Sequence, residues 1–231
     1  MFVGHIAAGL ALKRIEPRVN LGLLVFAAEF ADILFFALVL AGVERILPAI
    51  RSGDARYYSF DFPYSHGLAA GIAWAVLAGA AAWAITPGAR RSFIPAAVLA
   101  LAMLSHLVLD ATVHVPDIPL ASEDSTKIGL GLWRNMPVAL SFELALTGLA
   151  AGVFIRGGRL SRSKLWLLLA TLGVTGGLTV AGPYLTGEPP GPAAMAGPSL
   201  ATLIVVVGLA ALIDGSKRLI EPVSEGDVGK Q

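Results

Sequence analysis

The chain has no cysteine, so it offers neither a disulfide nor a thiolate ligand, and any metal it binds must sit on nitrogen and oxygen. Charge is the next scarcity. Only 14% of the 231 residues are Asp, Glu, Lys or Arg, against roughly 25% in a soluble domain. With a mean hydropathy of +0.75, that shortage argues against a soluble globule and for an integral membrane protein. The net charge is +1, and the basic residues stand in short clusters between apolar runs. No nucleic-acid surface is expected from such a pattern. Met1-Phe2-Val3-Gly4-His5 lacks a basic leader, and no small-residue cleavage site stands out, so no removable signal peptide is expected. No internal repeat is visible.

What the chain does have is long apolar runs. Spans are expected at Leu21–Val43, from Pro63-Tyr64-Ser65-His66 to Ile85, at Phe93–Val115, Pro137–Ile155 and Leu165–Leu185, with a shorter last one at Leu200–Ile213. Residues 2–12 are apolar too, but as a helix they reach only about 16 Å, too short to cross. The expected architecture is all-α: a polytopic membrane helix bundle of about six spans plus a short N-terminal helix. Residues 1–213 form one domain and 214–231 a polar tail. Residues 44–62 and 116–135 read as polar connections, and the Gly- and Pro-rich stretch Gly187–Pro198 as irregular. Twelve Lys and Arg fall in the loops at 13–20, 86–92 and 156–164 and in the tail, and five in the loops between. The basic side, tail included, is expected in the cytoplasm.

The strongest local pattern is Ser105-His106-Leu107-Val108-Leu109-Asp110-Ala111-Thr112-Val113-His114. His106, Asp110 and His114 recur every fourth residue, stacking along one helix face with about 40° of drift per step. One ion could therefore touch two or three of them. Ionisable groups in such a span are expensive, and they are commonly functional. Placed by a rise of about 1.5 Å per residue, the other polar residues gather at similar depth. His66 opens its span on the outer side, Glu143 lies about two turns into a span from that side, and Asp32, Glu29 and His5 sit near mid-membrane. Glu29 has an alternative, snorkelling towards a cytoplasmic Arg. Glu143 could be a ligand, a base, or a partner of Lys127 or Arg134. The segments 165–185 and 200–213 carry no Lys, Arg, Asp, Glu or His and read as scaffold.

Histidine and carboxylate without sulfur suit a divalent ion, zinc first, with manganese or iron as alternatives. Six or more candidate ligands exceed one four-coordinate zinc and suit a multi-metal site, or one metal with its supporting shell. Clustered ions typically clamp the oxygens of a phosphoester while activating a water.

The motif order resembles that of the YdjM-like membrane-bound metal-dependent hydrolases, also described as LexA-binding inner-membrane-associated hydrolases. That family is itself similar to the zinc-dependent phospholipase C and S1/P1 nuclease group. The resemblance rests on Gly4-His5, Ala31-Asp32-Ile33, Ser65-His66-Gly67 and Ser105-His106-Leu107-Val108-Leu109-Asp110, over about residues 3–120. It implies His5, Asp32, His66, His106 and Asp110 as metal ligands, and an inner-membrane hydrolase acting on a phosphoester or a membrane lipid. Ala31-Asp32-Ile33-Leu34 stands where the family has Pro-Asp-Ile-Asp, so one carboxylate is missing. His114 joins the expected metal set by its spacing, and Asp117 and Glu143 are the expected general base or supporting acids. The other reading kept open is a non-catalytic metal-binding membrane protein, or a metal or proton transporter.

Overall fold

The computed structural model describes residues 2–86, 93–157, 160–185 and 188–214. The turn expected at 87–92, the middle of the loop at 156–164 and the tail from 215 lie outside them. Among the described residues the chain is an all-α bundle of α1 (Val3–Ile15), α2 (Leu21–Leu40), α3 (Leu68–Ile85), α4 (Phe93–Val113), α5 (Met136–Gly157), α6 (Arg162–Ala181) and α7 (Pro192–Ile213). Six stretches are long and apolar enough to cross a membrane, which is the composition of an integral membrane protein.

The short helix α1 is at the centre of the bundle. Val3, Ile6, Ala7 and Leu10 pack with Leu21 and Val25 of α2, Ala150, Ala151 and Phe154 of α5, Leu168 of α6, and Val206, Ala210 and Ile213 of α7. Apolar side chains gain little by leaving lipid, so helix contact here depends on close fit and on small residues. Gly9 shows this: a Cβ there would come 2.8 Å from Val25 Cγ2. Gly22 lets α2 approach the backbone of Ala211 on α7 in the same way. By contrast α3 buries only Gly71 and Ala75, and it turns Ile72, Val76, Leu77 and Ile85 outward, as a lipid-facing helix should. On α6, Thr171, Thr175 and Thr179 each donate to the carbonyl four residues back, so the helix carries polar side chains without leaving any unmet.

Two expectations need correction. Gly187–Pro198 is not irregular throughout, because α7 begins at Pro192 and runs 22 residues. Pro192 falls at the start of the helix, where its missing N–H costs nothing, and Pro198 is accommodated inside. The polar connections are also structured. Residues 45–61 form two nested antiparallel hairpins, β1 (Arg45–Ile46) with β4 (Phe60–Asp61) around β2 (Ile50–Ser52) with β3 (Ala55–Tyr57). Gly53, at a φ of 60°, supplies the left-handed residue of the inner turn. In the second connection β5 (Ile118–Pro119) pairs with β6 (Lys127–Ile128).

At the opposite end a polar clamp closes the bundle. The buried Lys13 ammonium donates to the carbonyls of Pro17 and Val19, and to Asp214 Oδ2 at 2.7 Å. Asp214 also accepts from Leu21 N, and its carbonyl from Lys164 Nζ. The first residue of the expected tail is therefore tied to α1, α2 and α6. Asp214→Ala should strand the Lys13 charge and cost about 3 kcal/mol, read as a lower melting temperature in detergent. Beside the clamp, Arg18 hydrogen bonds to Glu16 and holds its carboxyl below the ordinary value of 4.5. That contribution to stability is complete above the ordinary value and is lost as pH falls below it. The melting temperatures of wild type and Glu16→Gln should accordingly converge on acidification.

Candidate metal centre

The fourfold spacing on α4 is kept to its end. His106 and Asp110 lie on the buried face, and His114 follows one residue past the helix, its N–H still bonded to the Asp110 carbonyl at 2.8 Å. Asp110 is 1% exposed and surrounded by imidazoles. Its Oδ1 is 3.1 Å from His5 Nε2. Its Oδ2 is 3.4 Å from His66 Nε2, 3.3 Å from His106 Nε2 and 3.4 Å from His114 Nε2. Asp32 Oδ1 enters from α2, 3.3 Å from His66 Nε2 and 3.9 Å from His106 Nε2. All six residues expected to bind metal thus meet in one place, from α1, α2, α4 and the turn before α3. Two triplets, His66–His106–Asp110 and His5–Asp32–His106, each present ligand atoms within 4.8 Å of one another.

The far nitrogens of these rings show what the near ones are free to do. His106 Nδ1 is 2.6 Å from the Ala28 carbonyl, which can only accept, so Nδ1 carries the proton and Nε2 keeps its lone pair. His114 Nδ1 likewise faces Asp117 Oδ1 at 3.0 Å. His66 Nδ1 lies 2.8 Å from Ser65 Oγ, whose single proton goes to Glu44 Oε2 at 2.6 Å. Ser65 is therefore an acceptor for His66, and that Nε2 is a lone pair as well. Yet His66 Nε2 and His106 Nε2 are 3.0 Å apart. Two lone pairs at that distance repel unless a proton or a metal cation lies between them. Tetrahedral ligands at 2.0–2.1 Å from zinc are separated by about 3.3–3.4 Å, the spacing seen around Asp110 Oδ2. The donor set fits a metal ion.

The anchors of these ligands come from elsewhere in the chain. Glu44, just past α2, is 2% exposed and accepts from Tyr64 N, Ser65 N and Ser65 Oγ. Burial pushes its carboxyl up, and those three donors oppose the shift. Glu143 does not pair with Lys127 or Arg134 through any contact seen here. Its Oε1 accepts the N–H of Phe2 at 2.6 Å and of Gly4 at 3.0 Å, holding the first turn of α1 and so the height of His5. Asp117 sits behind His114. The two acids expected as catalytic therefore touch a ligand and a helix start. Asp32, its side chain 18% exposed, marks the open side of the cluster.

Phe62 stacks on His66 with centroids 4.6 Å apart, Trp133 packs on His114 at 4.1 Å, and Phe35 and Phe60 close the same wall. His5 stacks on His106 at 3.7 Å. Behind His114, Gly129 passes so close that a Cβ would collide with the carbonyl oxygens of His114 and Val115, and Gly131 N caps the His114 carbonyl at 2.7 Å. Glu44, Trp133 and the phenylalanines were not legible as site residues. They are remote in sequence and carry no motif of their own; only the Ser65-His66 pair hinted at a supporting hydroxyl. Glu29 is fully buried and neither of its oxygens meets a hydrogen-bond donor, so it does not reach an Arg by snorkelling.

No protein-family model matches the chain, and neither the curated proteins nor the solved structures contain a match to it.

If Glu44 and Ser65 orient His66, then Ser65→Ala and Glu44→Gln should each weaken divalent-ion binding about 10- to 100-fold. Competition with a chromogenic chelator measures this directly.

Proposed function

We propose that this chain is a membrane-embedded, metal-dependent hydrolase of phosphoesters, lipid phosphoesters included, as its motif order suggests. The observation that carries the reading is the 3.0 Å approach of the His66 and His106 Nε2 lone pairs beside Asp110, with both Nδ1 atoms committed elsewhere. His66, His106 and Asp110 hold the ion, with His5, Asp32 and His114 around it. Zinc suits this His-rich set best, and manganese and iron share its donors. A bound divalent ion would supply a Lewis acid for a phosphoryl oxygen and acidify a water for attack. Asp32, the acid at the open side, takes the proton. Asp117 and Glu143 serve as positioning residues, since Asp117 Oδ1 holds the His114 ring and Glu143 Oε1 holds the start of α1. The aromatic wall keeps bulk water from the ligands and strengthens the electrostatics within.

The excess of Lys and Arg in the sequence at the Lys13–Asp214 end supports the reading that this end faces the cytoplasm of an inner membrane, with the metal centre in the outer half. A metal or proton transporter would need a polar path through the cytoplasmic half as well. Leu10, Leu21, Val25, Phe154, Leu168 and Ile213 fill that half with apolar side chains, which favours a one-sided pocket.

Purified protein should contain at least stoichiometric divalent metal by elemental analysis, and His106→Ala and Asp110→Ala should lose most of it. A panel of phosphodiesters and phospholipids should then show turnover that a chelator abolishes. Negligible metal in the wild type would sink the proposal, and metal without turnover on any substrate would favour the non-catalytic reading.

A further inference from the structure

The metal cluster is covered at the polar end of the bundle. Phe62 lies over the His66 ring, and Phe60 and Trp133 over that of His114. The paired strands of residues 45–61 and 118–128 close the same end. His5, His66, His106, Asp110 and His114 are each at most 3% exposed. Of the six residues expected to bind metal, only Asp32 on α2 reaches the surface.

Beside Asp32 lies the seam between α2 and α3. Helix α3 packs mainly along α4 and buries only Gly71 and Ala75. Near Asp32 it meets α2 through two rings, Phe30 and Trp74, with centroids 5.4 Å apart. The rings line a cavity of about 10 Å3, room for about one water. Ala31, Ser65 and Leu107 line it too, and each is the chain neighbour of a metal ligand: Asp32, His66 and His106. The cavity therefore connects the seam with the cluster. On either side of Trp74, Ile72 and Val76 face outward, so the seam opens on hydrocarbon. Trp74 lies about 9 Å along α3 from its first residue, not far below the interface. Its indole N–H donates to the Tyr64 carbonyl at 2.9 Å, which leaves the apolar body of the ring against the seam.

A route through hydrocarbon sorts substrates. A water-soluble phosphoester would have to carry its charge into an apolar medium with nothing to offset the cost. A lipid already lies there, with its chains in hydrocarbon and its phosphate at the interface.

We propose that the metal centre acts on a membrane lipid phosphoester that enters sideways between α2 and α3, with Phe30 and Trp74 as the gate. The inference rests on the hydrolase reading above and narrows its substrate to lipid. The closed cavity is too small for a headgroup, so the two rings must part. Only ring packing and one hydrogen bond hold them, and the shallow burial of α3 lets it shift.

The native chain has no cysteine. Phe30→Cys combined with Trp74→Cys can thus be bridged selectively by a short bis-methanethiosulfonate reagent and freed again by dithiothreitol. Full-length Zn2+-loaded protein is assayed on vesicles of phosphatidylcholine, phosphatidylethanolamine and phosphatidylglycerol, and on water-soluble bis(p-nitrophenyl) phosphate. The wild type should cleave a lipid with kcat/KM at least about 10-fold above that for the soluble diester. Bridging should abolish lipid turnover without releasing Zn2+, and dithiothreitol should restore it. Lipid turnover that survives bridging, or equal efficiency of the wild type on the soluble diester, overturns the inference and leaves the hydrolase standing. No turnover of either substrate by the metal-loaded wild type overturns both. If the double variant does not fold, the wild-type comparison of lipid with soluble diester decides alone.

Discussion

A buried carboxylate surrounded by imidazoles is the constraint on which this molecule turns. Asp110 sits in an apolar helix with almost no exposure, where an isolated charge would cost at least a few kcal/mol. The Nε2 atoms of His5, His66, His106 and His114 face its two oxygens, and a cation held among them would offset that cost. Each imidazole comes with its own tether. The Ala28 carbonyl holds His106, Asp117 holds His114, and the Glu44–Ser65 pair holds His66. Glu143 holds the helix that carries His5. These contacts are polar and buried, so each fixes an orientation as well as a position.

The same requirement explains why a helix too short to cross occupies the centre of the bundle. His5 must reach Asp110 from inside, so α1 is enclosed by α2, α4, α5 and α6. Its small residues permit this, since Gly9 brings α2 close and Ala7 packs without bulk. The bundle then divides along its length. One end is apolar and locked by Lys13 and Asp214; the other is polar, roofed by short hairpins and walled by aromatic rings. The low dielectric that this wall creates by excluding water raises the worth of each contact inside it, and the cost of any left unmet.

Much of the candidate site was legible before any folding was considered. The fourfold spacing of His106, Asp110 and His114 is a property of the helix itself, and their place near the end of an apolar run set their depth. Depth alone also grouped His5, Asp32, His66 and Glu143 with them. The supporting contacts were not legible in this way. Glu44 is 21 residues from Ser65, and Glu143 is 139 from Gly4, and neither pairing follows a helical or strand period. The start of α7 at Pro192 was missed because proline and glycine are local breakers, whereas proline in the first turn of a helix breaks nothing.

By itself the sequence determined the elements that depend on neighbours along the chain: six long apolar helices, the short one before them, and the polar residues at matching depths. Helix length and side-chain periodicity are local, and hydrocarbon makes them nearly obligatory. Only the tertiary structure decided which faces turn inward, and so which oxygens of Asp110 meet which rings and which nitrogen of each histidine stays free. Those depend on helix rotation and close approach, set by contacts between different helices such as His5 with Asp110 and Gly4 with Glu143. Glu29 shows the difference plainly. Its place on α2 could be read from the chain, but its full burial with no hydrogen-bond partner exists only once the helices are packed together.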